Sequence, residues 1–143
     1  MLLAHLIGAG TLLLSVLFYG MATALIVRLL GRLIRAGHPA PGFWMDVAVM
    51  MAVTLITAAA HLTEIALWAV VLLLCGEIST FETALYCSAE NYTALGYGAV
   101  VLSERWRLLG PLEAINGLLL VGLSTAVMFA ALSSLLKNRF RFE

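Results

Sequence analysis

Residues 79–98 read Ser-Thr-Phe-Glu-Thr-Ala-Leu-Tyr-Cys-Ser-Ala-Glu-Asn-Tyr-Thr-Ala-Leu-Gly-Tyr-Gly, and they stand between two apolar runs of membrane length. No other feature constrains the fold as much. Ser79-x-x-Glu82 has the form of a capping box, in which two side chains satisfy orphan amides reciprocally, and it predicts a short helix running to Thr93. A helix of about 14 residues cannot cross a bilayer, which takes about 20. The segment therefore enters and returns. Backbone of that kind is tolerated only where protein or a water-filled cavity covers it. Gly96 and Gly98, on either side of Tyr97, then supply dihedrals that other residues adopt poorly.

Three apolar runs frame the chain. Among Asp, Glu, His, Lys and Arg, Leu2 to Val27 carries only His5; Asp46 to Cys75 carries His61 and Glu64 beyond its first residue; Pro111 to Leu136 carries Glu113. About 23 helical residues cover roughly 34 Å, enough to span a bilayer. A chain that is 63% hydrophobic and 11% charged lies outside the soluble class. A formal net charge of +0 argues against a nucleic-acid partner. No basic segment precedes the first run, and Arg28, Arg32 and Arg35 follow it, so it reads as a span and not as a leader. The expected fold is an all-α membrane protein, with three transmembrane helices per subunit, a re-entrant helix and no room for a separate soluble domain.

The six residues Thr93-Ala94-Leu95-Gly96-Tyr97-Gly98, after a short helix and between two spans, resemble the selectivity filter of the tetrameric potassium channels, usually Thr-Thr-Val-Gly-Tyr-Gly-Asp. The resemblance covers roughly residues 43–136. It implies an additional N-terminal helix and linker over 1–40 and a pore domain over 41–143. That domain would hold an outer helix (43–75), a pore helix (80–93), the filter (93–98) and an inner helix (111–137). It further implies a homotetramer in which backbone carbonyls, with Thr93, replace the water shell of potassium ions. No other cofactor is expected. Glu90 matches a position where some potassium channels carry a filter-bracing glutamate. Two residues depart from the pattern, Ala94 at the second threonine and Ala99 at the aspartate that follows the filter. They keep open a weakly selective cation channel, or a non-conducting membrane protein that retains the loop for assembly.

His61 and Glu64, three residues apart, share one face of the second span. Ionisable groups inside a membrane are costly and point to function. The pair is expected to hydrogen-bond to itself or to the pore helix; a proton sensor and a metal site are the alternatives. HxxE gives only two ligands and lacks the HExxH spacing of zinc proteases. No nucleophile accompanies the pair, so no enzyme is expected. Trp68 is expected to pack against the pore loop, Asn116 to bond between helices, and Glu113 to face the positive end of its helix. Gly122, Ala126 and Ala130 form a small-xxx-small face. Gly117 and Gly122 are either hinges of an inner gate or packing glycines.

Two prolines and two glycines in residues 36–42 end the first helix. Arg28, Arg32 and Arg35 read as cytoplasmic anchors, in preference to a voltage sensor. Two spans separate them from Lys137, Arg139 and Arg141, so both clusters lie on one side. The positive-inside rule then puts the N-terminus outside and the C-terminus in the cytoplasm, in a bacterial plasma membrane. Cys75 and Cys87 are expected to be free thiols, with a disulfide as the alternative.

Overall fold

The computed structural model describes residues 2–35, 42–98 and 100–140. The order of elements is α1 (Leu2–Arg35), α2 (Phe43–Leu74), α3 (Phe81–Tyr92) and α4 (Leu109–Phe140), with no strand among the described residues. Among the described residues, three segments are long and apolar enough to cross a membrane, namely Leu2–Leu29, Phe43–Leu74 and Leu109–Lys137. The protein is thus an all-α membrane protein, as its hydropathy pattern requires. The break expected over residues 36–41, the departure at Ala99 and the C-terminal Arg141 lie outside the described residues.

α1 runs past the apolar stretch to Arg35. Its 34 residues extend about 51 Å, well past a bilayer core of about 30 Å. Arg28 and Arg32 are exposed on that extension, where their stems can lie along lipid and their heads reach water. α2 starts after Gly42, whose backbone is extended, and Asp46 sits in its first turn, where the helix dipole favours a carboxylate. Phe43 and Trp44 are exposed beside it, edge to face at 5.4 Å between centroids.

α3 is held by α2 and α4. α1 packs on α4 and α2 and makes no backbone-level contact with α3. Its inward stripe is Ala4, Gly8, Thr11, Ser15, Tyr19 and Ile26, a small and polar face at helical spacing. Gly8 brings the two long helices close, since a Cβ there would stand 2.4 Å from Leu112 Cδ1. Around α3 the core is Ala4 of α1 with Trp68, Ala69, Leu72 and Ile78 against Ala84, Cys87, Trp106 and Leu109. Tyr19, Ala60 and Leu120 form a second cluster, and Ile26, Val53, Val127 and Ala131 a third.

The cap of α3 corrects the sequence reading. The expected Ser79–Glu82 box is replaced by a threonine pair, because the helix begins one residue later. Thr80 is the N-cap: its Oγ1 accepts from the Thr83 amide at 3.4 Å and donates to Thr83 Oγ1 at 2.8 Å. On the far side, the Glu77 carboxylate accepts from the Ser103 amide and hydroxyl, each at 2.7 Å, tying the segment before α3 to the loop before α4.

Cys75 and Cys87 are both free thiols, the first half-buried and the second in the core. Burial pushes the Cys75 thiol up, the Glu77 carboxylate adds to this, and Arg105 opposes it. The thiolate is the reactive form, so maleimide should modify Cys75 before Cys87, slowly at neutral pH and faster as pH rises above the ordinary thiol range. Mass spectrometry of timed reactions checks this; rapid labelling of Cys75 at pH 7 would contradict it.

Candidate functional site

α3 ends in a Schellman motif. Thr93 is the C-cap, the Ala94 amide donates to Asn91 O at 2.9 Å, and the Leu95 amide reaches back to Glu90 O, also at 2.9 Å. The motif needs a left-handed residue just past the cap, and Ala94 takes it with φ 55°. That position costs a non-glycine residue roughly 1–2 kcal/mol. Ala94→Gly should therefore raise the thermal stability of the folded protein by about 1 kcal/mol. An unchanged or lowered melting temperature would show that the alanine is not strained.

Left-handed φ recurs at Gly96 (62°) and Gly98 (71°), so every second residue from 94 to 98 has the reversed sign. Thr93, Ala94, Leu95, Gly96, Tyr97 and Gly98 are all exposed on the single chain. The Thr93 hydroxyl donates to Ala89 O at 2.7 Å. Glu90 is buried with Oε1 unpartnered, one helical turn from the Tyr86 hydroxyl that faces it.

Two groups on α4 fix the end of α3. Gly117 lies against the Tyr92 backbone, and a Cβ on it would stand 1.9 Å from Tyr92 O. Gly122 meets nothing within 4 Å in this chain. Glu113 does not play the part expected of it. It is fully buried, five residues into α4, and accepts from Ser88 Oγ at 2.5 Å and Asn91 Nδ2 at 3.2 Å. Because α4 begins at Leu109, Glu113 falls beyond its first turn, and the packing of α4 on α3 buries it against Ser88 and Asn91. Ser88 also reaches Ile65 O at 2.7 Å, so α2, α3 and α4 meet at one serine.

His61 is engaged by three helices. Its Nδ1 stands 2.7 Å from Tyr92 Oη and its Nε2 stands 2.6 Å from Ser124 Oγ. Tyr19 Oη bonds Ser124 Oγ and lies 3.5 Å from His61 Nε2. Both ring nitrogens are thus occupied, which leaves no lone pair for a metal. Among the described residues, no group of three or more His, Cys, Asp or Glu could hold an ion. His61 and Glu64 do not bond each other. Glu64 is fully buried one turn from Trp68, with Ser15 and Asn116 facing its carboxyl, yet no atom of this group meets hydrogen-bond geometry. Trp68 packs on Ala84 and Cys87 of α3.

A family model described as "Ion channel" matches residues 60–134, more than half of the 143-residue chain. The chain belongs to this ion-channel family. The match runs from the His61 region of α2 through α3 to the later turns of α4, so it contains the site and leaves α1 out. No curated protein and no solved structure matches the channel.

The roles of Glu113, Ser88, Ser124 and Tyr19 in this channel were not foreseen. Glu113 lies close enough to Pro111 to resemble a dipole-facing residue, but α4 starts two residues earlier, at Leu109, and packs this residue on α3. Tyr19 was legible in principle, because Thr11, Ser15 and Tyr19 place hydroxyls at spacings of four on a single face of an apolar helix.

Proposed function

We propose that the channel passes potassium ions passively through a throat formed by the Thr93–Gly98 segments of four copies. The observation that carries this reading is the reversed φ at Ala94, Gly96 and Gly98. In an ordinary extended strand successive carbonyls point to opposite sides. Reversing φ at every second residue undoes that alternation and lets consecutive oxygens face one axis. Such a column replaces the water shell of a dehydrated cation, and neighbouring ions push one another through. One chain carries one such segment, so enclosing an ion takes several copies, and four is the number the potassium-channel resemblance implies. Permeant ions are the only cofactor, and no catalysis is involved. The arginine and lysine clusters at the ends of α1 and α4 support an outward-facing filter and a cytoplasmic C-terminus.

Purified channel in liposomes should show potassium flux, with a reversal potential near the potassium equilibrium value under a potassium–sodium gradient. A monomeric or dimeric particle, or no flux across several pH and voltage conditions, would overturn the reading and favour a non-conducting assembly role. Ala94 favours one second reading, weak selectivity, because a methyl stands where the family pattern places a hydroxyl. In that case the reversal potential falls near zero, and Ala94→Thr moves it toward the potassium value.

A further inference from the structure

We propose that α1, which lies outside the family match, is a positioning element for the filter and acts through the side chains Tyr19, Ser124, His61 and Tyr92. The proposal rests on the reading of residues 93–98 as the filter. α1 and α3 share no backbone-level contact, so coupling between them passes through side chains, and the hydrogen-bonded route runs by way of α2 and α4.

The donors and acceptors of this route have one consistent assignment. Ser124 Oγ donates to Leu120 O at 2.9 Å, which uses its proton. Its oxygen then accepts from Tyr19 and from His61 Nε2. A neutral imidazole that donates from Nε2 must accept at Nδ1, and Tyr92 supplies that hydroxyl at 2.7 Å. Every polar atom on the route has a partner. Tyr19 and Tyr92 are both buried, and their rings flank the imidazole at 5.2 Å and 5.9 Å. Buried networks in a low dielectric hold their members in fixed orientations when complete and lose that order when one link is removed. Tyr92 is the last residue of α3, and Thr93 follows it. Its side chain is held by His61, its carbonyl lies against α4 at Gly117, and the Ala94 and Leu95 amides are held by the Schellman motif. Tyr19 therefore stands two side chains away from the residue that launches the filter.

The test compares the full-length channel with Tyr19→Phe, Tyr92→Phe and the double variant. Leu13→Ala is the control, on the exposed face of the same helix. Two quantities are read: the potassium-over-sodium permeability ratio in liposomes, and amide exchange over residues 92–98. Tyr19→Phe should lower the ratio about fivefold, the worth of one net hydrogen bond. It should also speed exchange about tenfold. Tyr92→Phe should do the same, and the double variant should be no worse than Tyr92→Phe alone, because the route passes through Tyr92. Leu13→Ala should change neither. Unaltered exchange and ratio in Tyr19→Phe, or full additivity in the double variant, overturns the proposal. Should Tyr19→Phe fail to assemble, Ser124→Ala removes the same link from α4 and is read in the same way. If the unaltered protein passes no ions the filter reading fails, while the exchange comparison still decides the coupling.

Discussion

Gly117→Ala is expected to abolish ion conduction and to destabilise the folded channel by about 2–3 kcal/mol, the upper range for an overpacked core. The Cβ of alanine would stand 1.9 Å from the Tyr92 carbonyl oxygen and 2.8 Å from its carbon. Both are backbone atoms, so no rotamer change relieves the clash, and either α4 or the end of α3 must move. The end of α3 leads into Thr93, the first residue of the proposed filter, so the displacement falls on the proposed ion path. Gly122→Ala is the internal comparison. Nothing lies within 4 Å of its added methyl, so it should leave the melting temperature within about 0.5 kcal/mol of the original. Flux from liposomes and thermal unfolding of both variants check the pair. Normal flux in Gly117→Ala would mean that the close approach of α4 to Tyr92 is not required.

The contrast between these two glycines shows where sequence reasoning stops. Both lie in an apolar helix with small neighbours, and spacing alone leaves hinge and packing roles equally open. Only the packing register of α4 against α3 separates them, and that is a tertiary property that spacing does not carry. The three spans and the short helix were legible because length and hydropathy dictate them locally. The Gly-Tyr-Gly geometry was legible because left-handed φ is what glycine permits. Ala94 in that same conformation was not, since nothing in its side chain announces it. Its φ is imposed by the cap of α3, two bonds reaching back to Glu90 and Asn91. His61 bears the same lesson. Its partners Tyr19, Tyr92 and Ser124 are 42, 31 and 63 residues away in sequence. No local periodicity connects them.

Glu113→Ala is expected to cost about 2–4 kcal/mol of stability and to abolish conduction, whereas Glu113→Gln should cost about 1 kcal/mol and retain it. The alanine leaves a cavity beneath α3 and removes the acceptor for Asn91 Nδ2, whose remaining contact is the weak one to Cys87 Sγ at 3.7 Å. Ser88 keeps its bond to Ile65 O, so the loss falls on the α3–α4 contact and spares the α2–α3 one. The amide behaves differently because the two partners are not alike. Asn91 donates, so the glutamine oxygen must face it. Ser88 can turn its proton to Ile65 O and accept from the glutamine NH2 with its own oxygen. A glutamine in that orientation keeps a partner for both Asn91 and Ser88, whereas alanine offers neither one. Thermal unfolding and liposome flux on the two variants give an ordering that bulk alone does not produce, since leucine at the same position should resemble alanine despite filling the space. If Glu113→Leu matched the glutamine variant, packing and not hydrogen bonding would be what α4 contributes to α3.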